Sequence, residues 1–450
     1  MSGNVSGKRR AELIIAKKNL LHIILPVAIV LAVALLFLVL ELSIPYTSAV
    51  ADVYPAYGVY ALFYMVIVVS YFLVSLSLYF IDARTISVSV YSPSRELYTV
   101  MRLSCWVSIL GLGFLIIDRS LYQGVDYLSS NFVEIRSRLN SERAGAEGVS
   151  SIFSVVGNLL QFWYYFAFVF LVYYYEFFSC KQRWVLASLI FVALLTGSYI
   201  LGGRSLIGVL VVSFIAVIIA RGSSGRGAYA ELFKIRSLVW IFFAGMLCLA
   251  AIMFVFYARA SVGGNDSEAY LNSFVDHLHG MKTQSYNACD SGAVCDIKNY
   301  LLLTALYVTH TFWVLSENIQ YLPSDAGGSA LWGGVLALSS KVIGSAGGEY
   351  QYAGLFNSLP GSIYYEYGLF GVVAGALLLA SLLAWMNFSL LRSNGIFKVI
   401  FYVALLDTLL VAPVLSSMNV IMFIFVLASL CSAAGIYMFL CSIKKEVRSL

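Results

Sequence analysis

The chain predicts an all-α polytopic membrane protein with about ten transmembrane helices. Three observations carry that expectation. Only 11% of its 450 residues are charged, where a soluble domain carries roughly 25%. Apolar runs at Leu20–Leu40, Gly58–Tyr79, Leu238–Tyr257 and Leu369–Met386 reach the ~20 residues that cross ~30 Å of hydrocarbon. Lysine and arginine collect between alternate runs, as the positive-inside rule requires.

Taken in order, the first run follows Lys8, Arg9, Arg10, Lys17 and Lys18. It is longer than a signal-peptide core and no small-residue cleavage site follows, so it reads as a retained first helix. Hydropathy places ten spans at 19–42, 58–80, 99–117, 152–177, 185–201, 206–220, 238–257, 361–387, 397–414 and 418–441. An even number puts both termini on one side. With that side cytoplasmic, segments 1–18, 81–102, 178–184, 221–236, 388–398 and 442–450 hold 19 of the 28 Lys and Arg residues. Three blocks result: 1–257 with spans one to seven and an external loop at 118–151, a large external loop at 258–360, and 361–450 with the last three spans and a cytoplasmic tail.

The formal net charge of +5 comes without a basic block, so nucleic acid is not an expected partner. Cys289 and Cys295 in "NACDSGAVC" stand close enough for a small disulfide ring on an oxidising face; two separate loop thiols are the alternative. Cys105, Cys180, Cys248, Cys431 and Cys441 lie in or beside apolar spans and read as small core residues. No Cys/His spacing points to zinc, no P-loop or GxGxxG follows a strand, and no DxD pair occurs. Neither a metal nor a cofactor is expected. Asp407 is the main acidic residue deep in a span, fewer than an ion-coupled transporter carries.

Charge gathers outside instead. Arg136 and Arg138 precede the fourth span in "FVEIRSRLNSERAGAEG", Arg204 occupies the turn of "LLTGSYILGGRSLIGVLVV", and Arg259 follows the seventh span in "FYARASVGGN". Arginine offers a planar fork of donors to phosphate oxygens, so a cluster at the membrane surface suits a lipid-linked pyrophosphate. The plain alternative for each is an interfacial arginine whose stem lies in lipid. Arg204 favours function, because Gly202 and Gly203 let backbone and ligand approach closely.

In the large loop, Leu303, Leu306, His310, Trp313 and Glu317 recur at helical spacing. This segment is apolar enough to lie on or re-enter the membrane. His310 is a candidate general base, since imidazole titrates near working pH; a histidine satisfied within the loop is the alternative. His277 and His279 are weaker candidates. Beyond a Gly-rich strip, "SLPGSIYYEYGLFGVVAG" leads into the eighth span, with Glu366 near its external end.

These residues resemble a known group. "TGSYILGGRSLIGVLVV" resembles the Gly–Arg hairpin of the O-antigen polymerase and ligase superfamily. "SLPGSIYYEYGLFGVVAG" resembles the segment after its large periplasmic loop, and "FVEIRSRLNS" the arginine-bearing loop of oligosaccharide repeat-unit (Wzy-like) polymerases. The resemblance implies a GT-C-like membrane transferase in the bacterial inner membrane, metal-independent, active on the periplasmic face. It implies polymerisation of undecaprenyl-pyrophosphate-linked oligosaccharide repeat units, with lipid pyrophosphate as leaving group. Carried onto this chain, Arg204, Arg136 and Arg259 bind pyrophosphate, His310 is the base and Glu366 orients. A flippase and a chain-length co-polymerase are the implied partners beside membrane lipids.

Two other functions fit the layout. An O-antigen ligase would move a finished glycan onto lipid A core. A flippase of lipid-linked oligosaccharides belongs to another class; it usually has short loops and a charged central cavity, and no inverted repeat is visible here.

Overall fold

A computed structural model of the chain describes residues 12–14, 20–44, 46–48, 54–81, 87–89, 93–122, 124–125, 151–201, 205–224, 246, 249–250, 253–254, 256–257, 260–261, 266–277, 281–283, 292–319, 329–343, 357–393 and 395–447. The protein is a helical, multi-pass membrane protein. Among the described residues, eight helices are long and apolar enough to cross a membrane. Of the other two expected spans, 238–257 falls largely outside the described residues. The one at 397–414 is the 16-residue helix Ile396–Val411, roughly 24 Å long and short for a full crossing.

The helices in chain order are α1 (Leu20–Leu42), α2 (Tyr54–Ile81), α3 (Arg95–Ile117), α4 (Ile152–Leu160), α5 (Tyr164–Tyr173), α6 (Cys180–Leu201), α7 (Ser205–Ser223), α8 (Ser267–His277), α9 (Ala293–Ile319), α10 (Ser329–Ile343), α11 (Leu359–Arg392), α12 (Ile396–Val411) and α13 (Ile421–Val447). A π-helical turn, Asp118–Tyr122, extends α3. The described strands are four three-residue pieces forming two antiparallel pairs, Glu12–Ile14 with Ser87–Ser89 and Tyr46–Ser48 with Met281–Thr283. We call the end of the bundle where α1 stops and α2 starts the upper end.

Helices in lipid gain no hydrophobic drive from each other, so packing and interhelical hydrogen bonds hold them. Both are visible here. A chain of hydrogen bonds joins five helices toward the lower end. The Tyr402 hydroxyl on α12 lies 3.0 Å from Ser223 Oγ on α7 and donates to Asn387 Oδ1 on α11 at 3.1 Å. Asn387 Nδ2 donates to Tyr71 of α2 at 3.1 Å, and Tyr71 donates to the Ile23 carbonyl of α1 at 2.8 Å. Midway up, Ser213 of α7 donates to Asp407 Oδ2 of α12 at 2.8 Å. The buried Asp407 thus pairs with a neighbouring helix.

Sequence places one continuous span at 361–387, but α11 is broken at Gly368. That residue holds φ 63° and ψ −161°, a conformation open only to glycine. Residues 363 and 375 of a straight helix would lie roughly 18 Å apart along its axis. Instead Ile363 Cδ1 sits 3.0 Å from where a Cβ on Gly375 would be. The segment Leu359–Tyr367 therefore folds back on the long half of its own helix. Its start is tied to the turn after α12: the Leu359 N–H donates to the Ala412 carbonyl at 2.9 Å, and the Ser416 N–H to the Asn357 carbonyl at 2.7 Å.

Candidate functional site

The fold-back segment, the turn after α12, and α9 meet around Tyr60 of α2. Tyr60 lies roughly 9 Å below the upper end of α2, so this is a polar node inside the bundle. Thr311 Oγ1 of α9 donates to the Pro413 carbonyl at 2.7 Å. The Tyr60 hydroxyl reaches Thr311 Oγ1 at 3.2 Å and the Pro413 carbonyl at 3.4 Å. Tyr60 stacks on Phe312 at 4.1 Å between ring centroids, and Phe312 also meets Phe37 of α1 and Tyr57 of α2. α9 is thus wedged between α1 and α2 by one ring. α9, from the segment expected to lie on or re-enter the membrane, packs against α1 and α2.

Local sequence explains the shape. Ser358 caps the fold-back helix by accepting from the Gly361 N–H at 3.0 Å, with Pro360 in the first turn. Serine at the cap and proline in the first turn, where its missing N–H costs nothing, are the usual start signals. Every donor of this first turn is then used: Leu359 on Ala412, Gly361 on Ser358, Ser362 on the Ser358 carbonyl. The helix start is closed to an anion. Side chains behind it are not so well served. Asn357 is 2% exposed, and among the described residues neither atom of its amide has a hydrogen-bond partner; the hydroxyls of Tyr64, Ser362 and Ser416 share that state. Buried unpaired polar atoms are uncommon; three of these residues lie at the start of the fold-back segment and on the turn bonded to it, and Tyr64 lies one turn from Tyr60 on α2.

The five residues at helical spacing on α9 form one face. Leu303, Leu306, His310 and Trp313 are all buried; the Glu317 side chain lies outside the described residues. His310 Nδ1 donates to the Tyr307 carbonyl at 2.9 Å. In the neutral ring that leaves the lone pair on Nε2, the tautomer a base needs. One turn on, the Val314 carbonyl accepts from Tyr365 of α11 at 3.2 Å, so His310 stands beside the fold-back segment.

Glu366 sits on that segment too. Its Oε1 accepts from the Ala330 N–H at 2.7 Å and the Leu331 N–H at 3.4 Å. A carboxylate there caps α10 and meets its positive end. The structure therefore brings His310 and Glu366 onto packed elements but gives Glu366 a clear capping contact.

Arg136, Arg204 and Arg259 lie outside the described residues, as does Cys289. Their neighbours can be followed. The rings of Phe256 and Tyr257 pack on Tyr307 and Tyr300 of α9, so the chain just before Arg259 abuts the helix that carries His310. Cys295 is buried in the first turn of α9. Leu201, the last residue of α6, precedes the Gly202–Arg204 turn.

Sequence reasoning missed Arg119. It is 6% exposed in the π-helical turn, and its Nη1 donates to the Ile200 carbonyl, two residues before Gly202. Beside it Asp118, also buried, accepts from Ser151, the cap of α4. The signal was present as "IIDRS", two opposite charges closing an apolar span. Glu41 was missed as well; it is buried at the end of α1 and accepts from Tyr57 at 2.6 Å. Among the described residues no group of three His, Cys, Asp or Glu could hold a metal ion. No protein-family model, no curated protein and no solved structure matches this chain.

Proposed function

We propose that the chain is a Wzy-like, GT-C-like membrane glycosyltransferase that polymerises undecaprenyl-pyrophosphate-linked oligosaccharide repeat units. In this reading the upper end faces the periplasm of a bacterial inner membrane and both termini face the cytoplasm. The incoming sugar hydroxyl attacks the reducing-end carbon of the growing chain. The bond to the lipid pyrophosphate breaks, and that group leaves with the electron pair. His310 takes the hydroxyl proton. Arg204, Arg136 and Arg259 meet the charge developing on the pyrophosphate, work that needs fixed donors rather than a metal.

One observation carries the reading. A histidine whose Nδ1 donates to the Tyr307 carbonyl stands on a loop helix wedged into the bundle, beside a fold-back segment whose start buries hydroxyl and amide groups. In transporters broken helices mark the substrate site; here the loop helices α9 and α10 both contact the fold-back segment, through Tyr365 and Glu366.

The test is a lipopolysaccharide ladder from a strain lacking the gene. Wild type restores the ladder, and the empty strain shows a single-repeat band. Arg204→Ala, at equal expression, lowers polymer yield on the order of a hundredfold, the effect of losing one charge-stabilising donor. Bare core without any repeat makes the protein a ligase instead. Movement of lipid-linked sugar across vesicles without longer chains makes it a flippase.

A further inference from the structure

Between α1 and α2 runs a groove of about 470 Å³. Its sides are Leu31, Ala34, Ala61, Met65 and Val69, and its back wall is Tyr60, Phe312 and Pro413. Along α2 it extends from Tyr57 to Val69, roughly 18 Å, about the depth of one leaflet of a ~30 Å hydrocarbon layer. The residues at its mouth face outward: Leu35, Met65 and Val69 are each more than half exposed. The slot therefore opens sideways into lipid. Of its polar neighbours, Glu41 pairs with Tyr57 and Tyr60 with Thr311 and Pro413, while the Tyr64 hydroxyl in its lining is buried and has no partner among the described residues. The groove can recognise a hydrocarbon chain, and its lining holds no charged group for a head group. Its back wall is the polar node itself, so a chain lying here ends at the candidate site.

We propose that this groove seats the polyprenyl chain of the lipid-linked substrate and delivers its head to the node from the side. The proposal rests on the polymerase reading for the identity of the chain. Phe312 links the two: the same ring that closes the groove anchors the helix carrying His310. Continuity of groove and node is what favours a substrate chain over an ordinary bilayer lipid.

The experiment uses full-length protein in phosphatidylcholine nanodiscs. Undecaprenyl phosphate with a diazirine on its chain is added, illuminated, and the adducts are mapped. Adducts concentrate on α1 and α2 around Ala34 and Ala61, and unlabelled undecaprenyl phosphate competes them away. Ala61→Trp fills the slot from an exposed position and weakens that competition about tenfold, a 1.4 kcal/mol change. Mapping on the wild-type protein stands whether or not the variant folds. Adducts spread evenly over the lipid-facing helices overturn the proposal, and so does equal labelling of the groove by a diazirine phosphatidylcholine. If adducts fall elsewhere while the gel ladder still depends on the gene, the groove assignment fails and the polymerase reading survives. If the groove is labelled and competed but deletion of the gene leaves the ladder intact, the chain seat stands and the polymerase reading falls.

Discussion

Arg119 joins two pieces of chain far apart in sequence. Its guanidinium holds the last turn of α6 by the Ile200 carbonyl, and its neighbour Asp118 holds the cap of α4. Two of the segments with candidate arginines therefore start from this one turn: 126–150, with Arg136, lies between it and α4, and Arg204 follows α6. Hydrogen bonds to charged groups contribute about 1.5–3 kcal/mol. Arg119→Ala is expected to lower stability by about 2 kcal/mol, read as a drop in the detergent melting temperature. On the proposed polymerase reading it should also cut polymer length on the ladder, while Arg119→Lys, which lacks the planar fork, restores neither fully. An unchanged melt would remove Arg119 from this role. Asp407 gives a second check of residue-level accounting. Asp407→Asn keeps an acceptor for Ser213, and Asp407→Ala loses it at a cost of about 1 kcal/mol.

At the scale of the element, glycines decide two contacts. A Cβ on Gly111 of α3 would stand 2.7 Å from the Gln161 nitrogen and from Leu160 Cβ, while one on Gly113 would meet nothing. Gly157 faces back, its Cβ position 2.9 Å from the Gly111 carbonyl. This is the small-residue approach that membrane helices use. Gly111→Ala should lower the melting temperature clearly and Gly113→Ala should leave it unchanged; equal effects would refute the contact. Gly368→Ala strains a backbone conformation reserved for glycine by about 1–3 kcal/mol and favours a straighter α11. Here sequence legibility ran out for a physical reason. Hydropathy sees 359–392 as one apolar run, because a helix that turns back into protein is as apolar as one that crosses lipid. Apolar length revealed eight of the ten expected spans among the described residues, and 3–4 spacing revealed the buried face of α9. Neither reveals a fold-back, since that depends on partners at Ala412 and Ser416, distant in the chain. Glu366 was visible as an acidic residue near a span end; its contact with α10 was not, because caps of distant helices leave no local pattern.

For the whole molecule, the charge bias predicts a sidedness that labelling can test. Val294 is 80% exposed on α9 and Cys180 is exposed at the start of α6, on what the charge bias assigns as opposite faces. In a cysteine-depleted chain, a membrane-impermeant maleimide should label Val294→Cys from the outer side of the membrane and Cys180 only after that membrane is opened. The reverse pattern would invert the orientation and, with it, the face on which chemistry occurs. The two halves of the bundle are also built differently. The lower half is tied across five helices by the Tyr402–Asn387–Tyr71 chain, whereas the upper half carries the break, the groove and the loop helices. That division favours a site fixed on one face over a rocking of two halves.

The break at Gly368 has a consequence for biogenesis. The fold-back helix is held by the Ala412 and Ser416 backbone, which the ribosome makes only after all of α11 and α12. Leu359–Tyr367 therefore reaches its final contacts only once the chain beyond α12 exists. Insertion of α11 alone cannot complete this part of the fold.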